Sequence, residues 1–523
     1  MKVLLINPPI EDFFFTPQRA YPIGLLYLGT VLKEEGFNVK IINCLSEYKK
    51  KTLKLPEEFS YLKRYYHPNI SPFKLFSHYY RFGLDYDEIQ NRIREYRPDI
   101  IGVSSNFSAY FDSSLEVCRI AKCLDKEITT ILGGRVPTQT PELALNNKYV
   151  DFLLRGEAEY GLLNLCRDIK RGKVRKRKGL CYKNPDGKRH ISKSVLLVND
   201  LNKLPIIDRS LINYKNYRFK GNLSASILTS RGCNMGCSFC AINEEFRYRS
   251  ADNVIKELED CYSLGIRHFN FEDDNINFNP DFEKILDFII EGFKGEIKIS
   301  FMNGILSLGI NRTLREKLVR AGLTHLDLSV ASCNKSLRDK MHRREDTKTI
   351  FSLSKFLAKN NIPTTAHFIV GFPGQRFSDA IKDIRSLAKK RVFLGPSIFY
   401  PVAESKMYRS LKEAVPSLEK DYIFYRSSVA YYDGAISRDR IFLIFYLSRI
   451  INFVKELLYS PHSKEKSDSF TLGMVLLKRL FNEKKIYSIQ KKQIDGKMCY
   501  NFKEETFVSP QDIKRILNGL DIK

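Results

Sequence analysis

Short apolar runs separated by stretches of helical period recur in two series along the chain. In the first, residues 3–6, 38–42, 100–104, 129–132 and 151–154 are apolar and β-branched enough to be buried strands, and residues 24–35 carry a helical pattern stopped by Gly36. Strands of this kind alternating with helices predict a doubly wound, parallel α/β sheet over residues 1–165. Residues 46–85 interrupt it as an insertion rich in Tyr, Phe, Lys and His, with no clear period. Residues 166–222 follow as a basic linker. A second series, over 223–430, predicts strands at 226–229, 269–271, 297–301, 325–330, 366–370 and 392–400. Among its helices, residues 254–264 place Val254, Leu258 and Cys261 on one face and stop at Gly265. Six strand–helix units suit a partial (β/α)6 barrel, whose chemistry belongs at the C-terminal ends of its strands. The tail, 431–523, is mostly helical. It holds an apolar helix from residue 440 containing Arg449 and Lys455, a hairpin at 486–502 turning at Asp495–Gly496, and a last helix after Ser509–Pro510. The apolar helix is expected to be a core or lid element rather than a membrane-surface anchor.

Composition narrows the setting. With 523 residues and 43% hydrophobic content the chain has material for two or three cores. Met1-Lys2 leads directly into a strand without a signal-peptide pattern, and no run reaches the roughly 18–20 apolar residues of a transmembrane segment. The eleven cysteines are mostly scattered, as in a reducing cytoplasmic compartment. The formal charge is +26, and residues 171–178 pack six basic side chains into eight positions. Such a strip suits a solvated linker, or a docking strip for RNA or anionic lipid.

The chemistry concentrates at Cys233, Cys237 and Cys240, spaced C-x3-C-x2-C just after a predicted barrel strand. Thiolates at that spacing can reach three corners of a [4Fe-4S] cluster, and the missing fourth cysteine leaves one iron open to a small molecule. A structural zinc would want four ligands from paired elements, and no second pair follows. With Phe239 before the last cysteine, the loop resembles the signature of radical S-adenosyl-L-methionine (SAM) enzymes, in which the open iron binds SAM. The segment Phe271-Glu272-Asp273-Asp274-Asn275 is similar to the Asp-Asp-Asn variant of that family's Gly-Gly-Glu, which implies that one of Glu272, Asp273 and Asp274 receives the SAM amine; an acidic N-cap cluster is the bland alternative. Asn303 and Ser329 resemble contacts to the SAM ribose and carboxylate, and Gly371-Phe-Pro-Gly374 resembles the turn that approaches adenine. Arg343 or Arg344 would pair with the SAM carboxylate.

In the first domain, Asn7-Pro8-Pro9, Tyr21-Pro-Ile-Gly24, Gly133-Gly134 and Arg155-Gly156-Glu157 resemble the Rossmann-like cobalamin-binding domain fused to many radical SAM proteins. The resemblance implies cobalamin contacts from Asn7, Pro8, Gly133 and Gly134, with Ser104 and Ser105 bonding its nucleotide tail. No Asp-x-His-x-x-Gly is present, which implies cobalt without a protein histidine unless His67 or His78 reaches it. The resemblance covers roughly residues 1–405.

What it implies is a class B enzyme. SAM is cleaved reductively to a 5′-deoxyadenosyl radical, which attacks an unactivated carbon, and methyl transfer from cobalamin is the commonest outcome. The reductant would be a flavodoxin or ferredoxin, and the substrate a small or lipid-like molecule. Three alternatives stand beside it: an oxidoreductase or cyclase without methylcobalamin, an RNA-modifying enzyme, and a cobalamin- or redox-sensing binding module. The RNA reading is weakened because Asn7-Pro8-Pro9 occupies the place where methylthio-transferring relatives carry a cysteine.

Overall fold

The structure, a computed structural model, describes residues 1–184, 186–242, 244–430, 434–459, 468–494 and 497–517. Lys2–Asn7 lies second from one edge of the first sheet, parallel to the edge strand Asn38–Asn43 on one side and to Ile100–Ser104 on the other, followed by Thr129–Gly133 and Phe152–Leu154. Apolar clusters cover both faces. One gathers Leu26, Val31 and Leu162 from the helices Ile23–Glu34 and Glu159–Lys170, the other Ile89, Ile93 and Val117 from Tyr86–Tyr96 and Phe111–Leu124. The sheet is therefore doubly wound, and its topological switch falls between Lys2–Asn7 and Ile100–Ser104, where such folds bind ligands beyond the strand ends.

The segment expected to be a linker does more than connect. Leu180–Lys183 and Arg189–His190 extend the sheet as antiparallel strands. Their short, interrupted run carries too weak a period to be recognised from sequence. The basic strip before them lies on the surface, with Arg177 paired to Asp168 at 2.9 Å.

Asn222–Ile227, His268–Phe271 and Lys298–Ser300 form one parallel ladder; Leu326–Ala331, Thr364–Val370 and Phe393–Ile398 form a second. Parallel bridges Ile299–Leu323 and Ile305–Leu328 join them into a six-stranded partial barrel. Its first strand begins and ends earlier than the apolar run suggested, because Ser230–Arg231 leaves the barrel to pair antiparallel with Arg247–Tyr248. Ala225, Ile227, Phe269 and Phe271 join the core, and the alternating Ser224, Ser226, His268 and Asn270 line a common cavity.

The tail helix Arg438–Tyr459 packs along the last barrel strand. Asn452 receives the Leu394 N–H at 2.7 Å and donates to the Leu394 carbonyl at 2.8 Å, so it satisfies an open strand edge. Buried Lys455 donates to the carbonyls of Leu387, Lys390 and Val392. Among the described residues no helix is long and apolar enough to cross a membrane. The tail hairpin pairs Tyr487–Ile494 with Lys497–Glu504, and its expected turn at Asp495–Gly496 lies outside the described residues. The aperiodic insertion folds on this tail. Tyr65 and Phe442 stand 4.1 Å apart at their ring centres, Phe73 meets Phe453 at 5.3 Å, and His67 lies 3.0 Å from Glu505.

Arg426, in the barrel-to-tail connection, is buried against Asp12 at 3.5 Å and donates to the carbonyls of Glu11, Ala109 and Ile423. Asp12 also accepts from Tyr110 at 2.6 Å and Ser428 at 3.1 Å. Removing the carboxylate strands a buried cation, so Asp12→Ala is expected to cost about 3–5 kcal/mol. The check is the urea midpoint of unfolding; an unchanged midpoint contradicts this accounting.

Candidate functional site

The hairpin of Ser230–Arg231 and Arg247–Tyr248 closes the neck of the cysteine loop. Gly232, at φ +85°, leads into it, and a Cβ there would stand 2.4 Å from the Glu245 carbonyl. Beyond it, Cys233, Cys237 and Cys240 share one apolar cell with Met235, Phe239, Phe278 and Leu306. Ser238 fastens the loop to the barrel, its N–H on the Met341 carbonyl at 3.0 Å and its own carbonyl accepting Met407 N–H at 2.8 Å. Among the described residues no three His, Cys, Asp or Glu are grouped as a single-ion site; in a cubane each thiolate binds a different iron. Burial pushes the Cys233 and Cys240 thiols up, and Asp274 pushes in the same direction. Two donors face the sulfurs: Asn275 Nδ2 is 3.9 Å from Cys233 Sγ and Arg343 Nη1 is 3.7 Å from Cys237 Sγ. The donor set and its second layer fit an iron–sulfur cluster.

The three acids after the second barrel strand do different work. Asp273 is almost fully buried and accepts from Thr229 N–H at 3.0 Å, Thr229 Oγ1 at 2.7 Å and Ser230 Oγ at 2.5 Å. It pins the strand end that launches the cysteine loop, so its oxygens are committed rather than free for a ligand amine. Glu272 accepts from Ser226 Oγ at 3.2 Å and from Asn270, with burial raising its pKa against the opposing charge of Arg19. Asp274 is the acid whose charge reaches Cys233 and Cys240, and the buried Asn275 beside it leaves its Oδ1 without a partner among the described residues. Asn275 Oδ1 is thus the acceptor without a partner at the loop, while Asp274 accepts from the Gly232 N–H and faces Arg135. The sequence signal was the acidic run itself, which does not say which acid the turn commits.

The remaining barrel positions lie at the strand ends. Asn303 donates to the Glu272 carbonyl at 2.7 Å, and Ser329 gives its carbonyl to Arg343 at 2.7 Å. That bond, with the 2.7 Å approach to Glu345, places Arg343 in the wall rather than open to a ligand carboxylate, while Arg344 is exposed. Gly371 has φ +84°, and a Cβ there would meet Ile441 of the tail helix at 3.1 Å; the glycine makes room for that helix, not only for a ligand.

Across the mouth stand the strand ends of the first sheet. Asn7 donates to Asn43 at 2.9 Å and Pro8 is buried beside it. Ser104 Oγ accepts from Asn106 at 3.1 Å, and Ser105, buried, has no hydrogen-bond partner for its Oγ among the described residues. Gly133 begins the turn. At Gly134, with φ +111°, a Cβ would lie 2.6 Å from the Ser105 carbonyl. An orphaned hydroxyl beside a glycine turn at the topological switch fits a polar, bulky cofactor tail. Arg135, next in chain, lies 4.0 Å from Asp274. His67 pairs with Glu505, and His78 contacts Ser77 at 2.9 Å. Glu157, from the Arg-Gly-Glu motif, binds Arg247 through both oxygens at 2.8 Å and reaches Arg231 at 3.4 Å. That motif therefore ties the sheet to the neck of the cysteine loop.

Comparison with known proteins finds both domains. The radical SAM superfamily model matches residues 227–387, and the B12 binding domain model matches residues 75–165. The chain therefore carries a radical SAM domain together with a B12-binding domain, and it is an enzyme. It is 25% identical over 399 residues to an uncharacterized methyltransferase of Pyrococcus horikoshii, covering 75% of this chain and 78% of that one. It is also 25% identical over 416 residues to cytidylyl-2-hydroxyethylphosphonate methyltransferase of Streptomyces wedmorensis, covering 71% and 73%. In fold it resembles the methyltransferase TsrM from Kitasatospora setae, solved with cobalamin and a [4Fe-4S] cluster, at a TM-score of 0.59 and 15% identity over 79% of this chain and 78% of that one. It resembles OxsB, solved with aqua-cobalamin and SAM, at 0.63 and 14% identity over 99% and 78%.

Burial holds the Asp273 carboxyl at about 6 in the fold against an ordinary 3.8, with its hydrogen bonds opposing. Between those values the folded chain keeps a proton that the unfolded chain has lost, so stability falls as pH rises through the window. Asp273→Asn removes that slope. In iron-free protein the melting temperature of wild type relative to Asp273→Asn should therefore drop from pH 4 to pH 6.5; parallel curves contradict the assignment.

Proposed function

We propose that this chain is a cobalamin-dependent radical SAM enzyme that modifies an unactivated carbon, with methyl transfer as its reaction. The observation carrying this reading is the meeting of two strand-end sites across one mouth: the three-thiol cell at Cys233, Cys237 and Cys240, and the Ser105–Gly134 turn opposite. When bound, a [4Fe-4S] cluster supplies the electron that cleaves SAM, and cobalamin supplies a methyl carrier. Cys233, Cys237 and Cys240 hold the cluster. Asp274 and the free Oδ1 of Asn275 receive the SAM amine, with Glu272 on the rim; Asn303, Ser329 and the Gly371 turn bound the rest of the ligand. Asn7, Pro8, Ser104, Ser105, Gly133 and Gly134 form the cobalamin edge. The apolar cell excludes water from the buried Cys237, with Cys233 and Cys240 half-buried beside it. The names of the two methyltransferase relatives support methyl transfer, and the cofactors named for TsrM and OxsB support the cofactor set. A flavodoxin- or ferredoxin-like reductant and a cytoplasmic setting follow from the chemistry. The substrate is a small or lipid-like molecule, selected by the insertion and tail that the motifs leave unassigned.

Anaerobic reconstitution with iron, sulfide and hydroxocobalamin tests this directly. Cys237→Ala should lose the cluster absorbance and keep the corrin bands, while Gly134→Val should lose corrin and keep the cluster. A wild type with a cluster and no corrin removes cobalt from the reaction.

Asp274→Ala should weaken SAM binding by about 10- to 100-fold, the loss of one charge-assisted hydrogen bond. Equilibrium dialysis on the reconstituted protein measures it, and a change under twofold assigns the amine elsewhere.

A further inference from the structure

We propose that Arg343 sets the reduction potential of the cluster by donating to the Cys237 thiolate, with Glu345 as the counter-ion that aims it; this rests on the three cysteines holding a [4Fe-4S] cluster. Arg343 follows the short helix Lys335–Lys340, where its N–H bonds the Arg338 carbonyl at 2.8 Å after His342 turns the chain at φ +53°. Its guanidinium is buried, its two terminal nitrogens are committed, and its Nε has no partner among the described residues. Nη1 lies 3.7 Å from Cys237 Sγ, and Nη2 donates to the Ser329 carbonyl at 2.7 Å. Glu345 Oε2 stands 2.7 Å from Nη2, while Oε1 is held by Ser307 N–H at 2.5 Å and Ser307 Oγ at 2.9 Å.

A buried Arg–Glu pair stabilises a fold no better than packed apolar residues, so stability alone gives a poor reason for this one. Its orientation gives a better one. The carboxylate is anchored on Ser307 and the cation reaches the sulfur, so the positive end of the pair meets a cluster ligand. An N–H donated to a ligating thiolate draws charge off it and favours the more negative, reduced cluster, which raises the potential. In a water-excluded cell that effect is weakly screened. The bond to the Ser329 carbonyl fixes the guanidinium to the end of the fourth barrel strand, so the donor cannot rotate away when the loop takes up iron. Arg343 is a positioning residue acting through Cys237, not a group that touches the reacting atoms.

The test is a redox titration of the reconstituted cluster, followed by electron paramagnetic resonance without SAM, in wild type, Arg343→Met, Arg343→Lys and Glu345→Gln. Arg343→Met should bind the electron at least tenfold more weakly, a downward shift of about 59 mV for a one-electron couple. Arg343→Lys should shift less, because it keeps the charge and loses the fork. Glu345→Gln should shift upward, because the cation loses its counter-ion. A full complement of iron and sulfide in Arg343→Met with an unmoved potential overturns the proposal, and so does a loss confined to SAM affinity. If Arg343→Met assembles no cluster, Glu345→Gln decides: an upward shift supports the role, and no shift or a downward one overturns it. A wild type that assembles no cluster defeats the functional reading itself, and this inference with it.

Discussion

Glu157 joins the two sites of the molecule. Burial alone would raise its pKa, yet Arg247 and Arg231 hold it below the ordinary carboxylate value. Both arginines belong to the hairpin that closes the cysteine loop, and Glu157 follows the last parallel strand of the first sheet. Gly156 lets the chain make this approach: at φ +90°, a Cβ there would lie 2.2 Å from the Leu196 carbonyl. Bidentate Arg–carboxylate contact fixes direction as well as distance. The neck of the cysteine loop is thus oriented by the neighbouring domain, not only by its own barrel.

A partial barrel leaves its last strand with an open edge, and this chain closes it with sequence that lies outside the family pattern. The tail helix supplies Asn452 to the Leu394 backbone and Lys455 to three carbonyls, while burial lowers the Lys455 pKa to about 7. The other face of that tail receives the aromatic insertion of the first sheet. Tyr66 hydrogen-bonds the Ser428 carbonyl and packs its ring on Phe442 at 5.4 Å. Two segments more than 350 residues apart in sequence therefore form one wall. The insertion depends on that tail for its packing, which is why it showed no clear period of its own.

Legibility in the sequence followed the physics of each element. Buried parallel strands are continuous apolar runs bounded by turns, and both strand series were recoverable to within a few residues. The three cysteines were visible because their chemistry depends on local spacing. The division of labour among Glu272, Asp273 and Asp274 was not, because it depends on which oxygens Thr229 and Ser230, some 44 residues earlier, already hold. Arg343 or Arg344 was expected at a ligand carboxylate on residue type alone; the burial of Arg343 and its bond to the Ser329 carbonyl are tertiary facts. The sheet extension at residues 180–190 was hidden because strands of two to four residues are too short to leave a period.

The contacts between the two domains are unevenly strong, and the pattern has a consequence for chemistry. Behind the mouth, Glu257 is fully buried between Arg209 at 2.7 Å and Arg249, with Tyr21 and Tyr27 bonded to those arginines at 3.1 and 3.3 Å. On the other flank Arg426 is sealed against Asp12. Breaking either leaves a desolvated charge. Across the mouth itself the contacts are slight: exposed Arg19 on the Met302 carbonyl at 2.9 Å, and exposed Arg135 at 4.0 Å from Asp274, pairs worth at most about 1 kcal/mol. The domains are thus clamped on two sides and nearly free where they face each other. The separation between the Gly134 turn and the cysteine loop is set by the clamps, while Arg19 and Arg135 can yield to an incoming molecule without loosening it. Two cofactors acting in turn on one carbon need that fixed spacing, because displacements of about 1 Å can cost a hundredfold in rate. The buried charges at Glu257 and Asp12 are stabilisers of geometry at the mouth, although neither faces it.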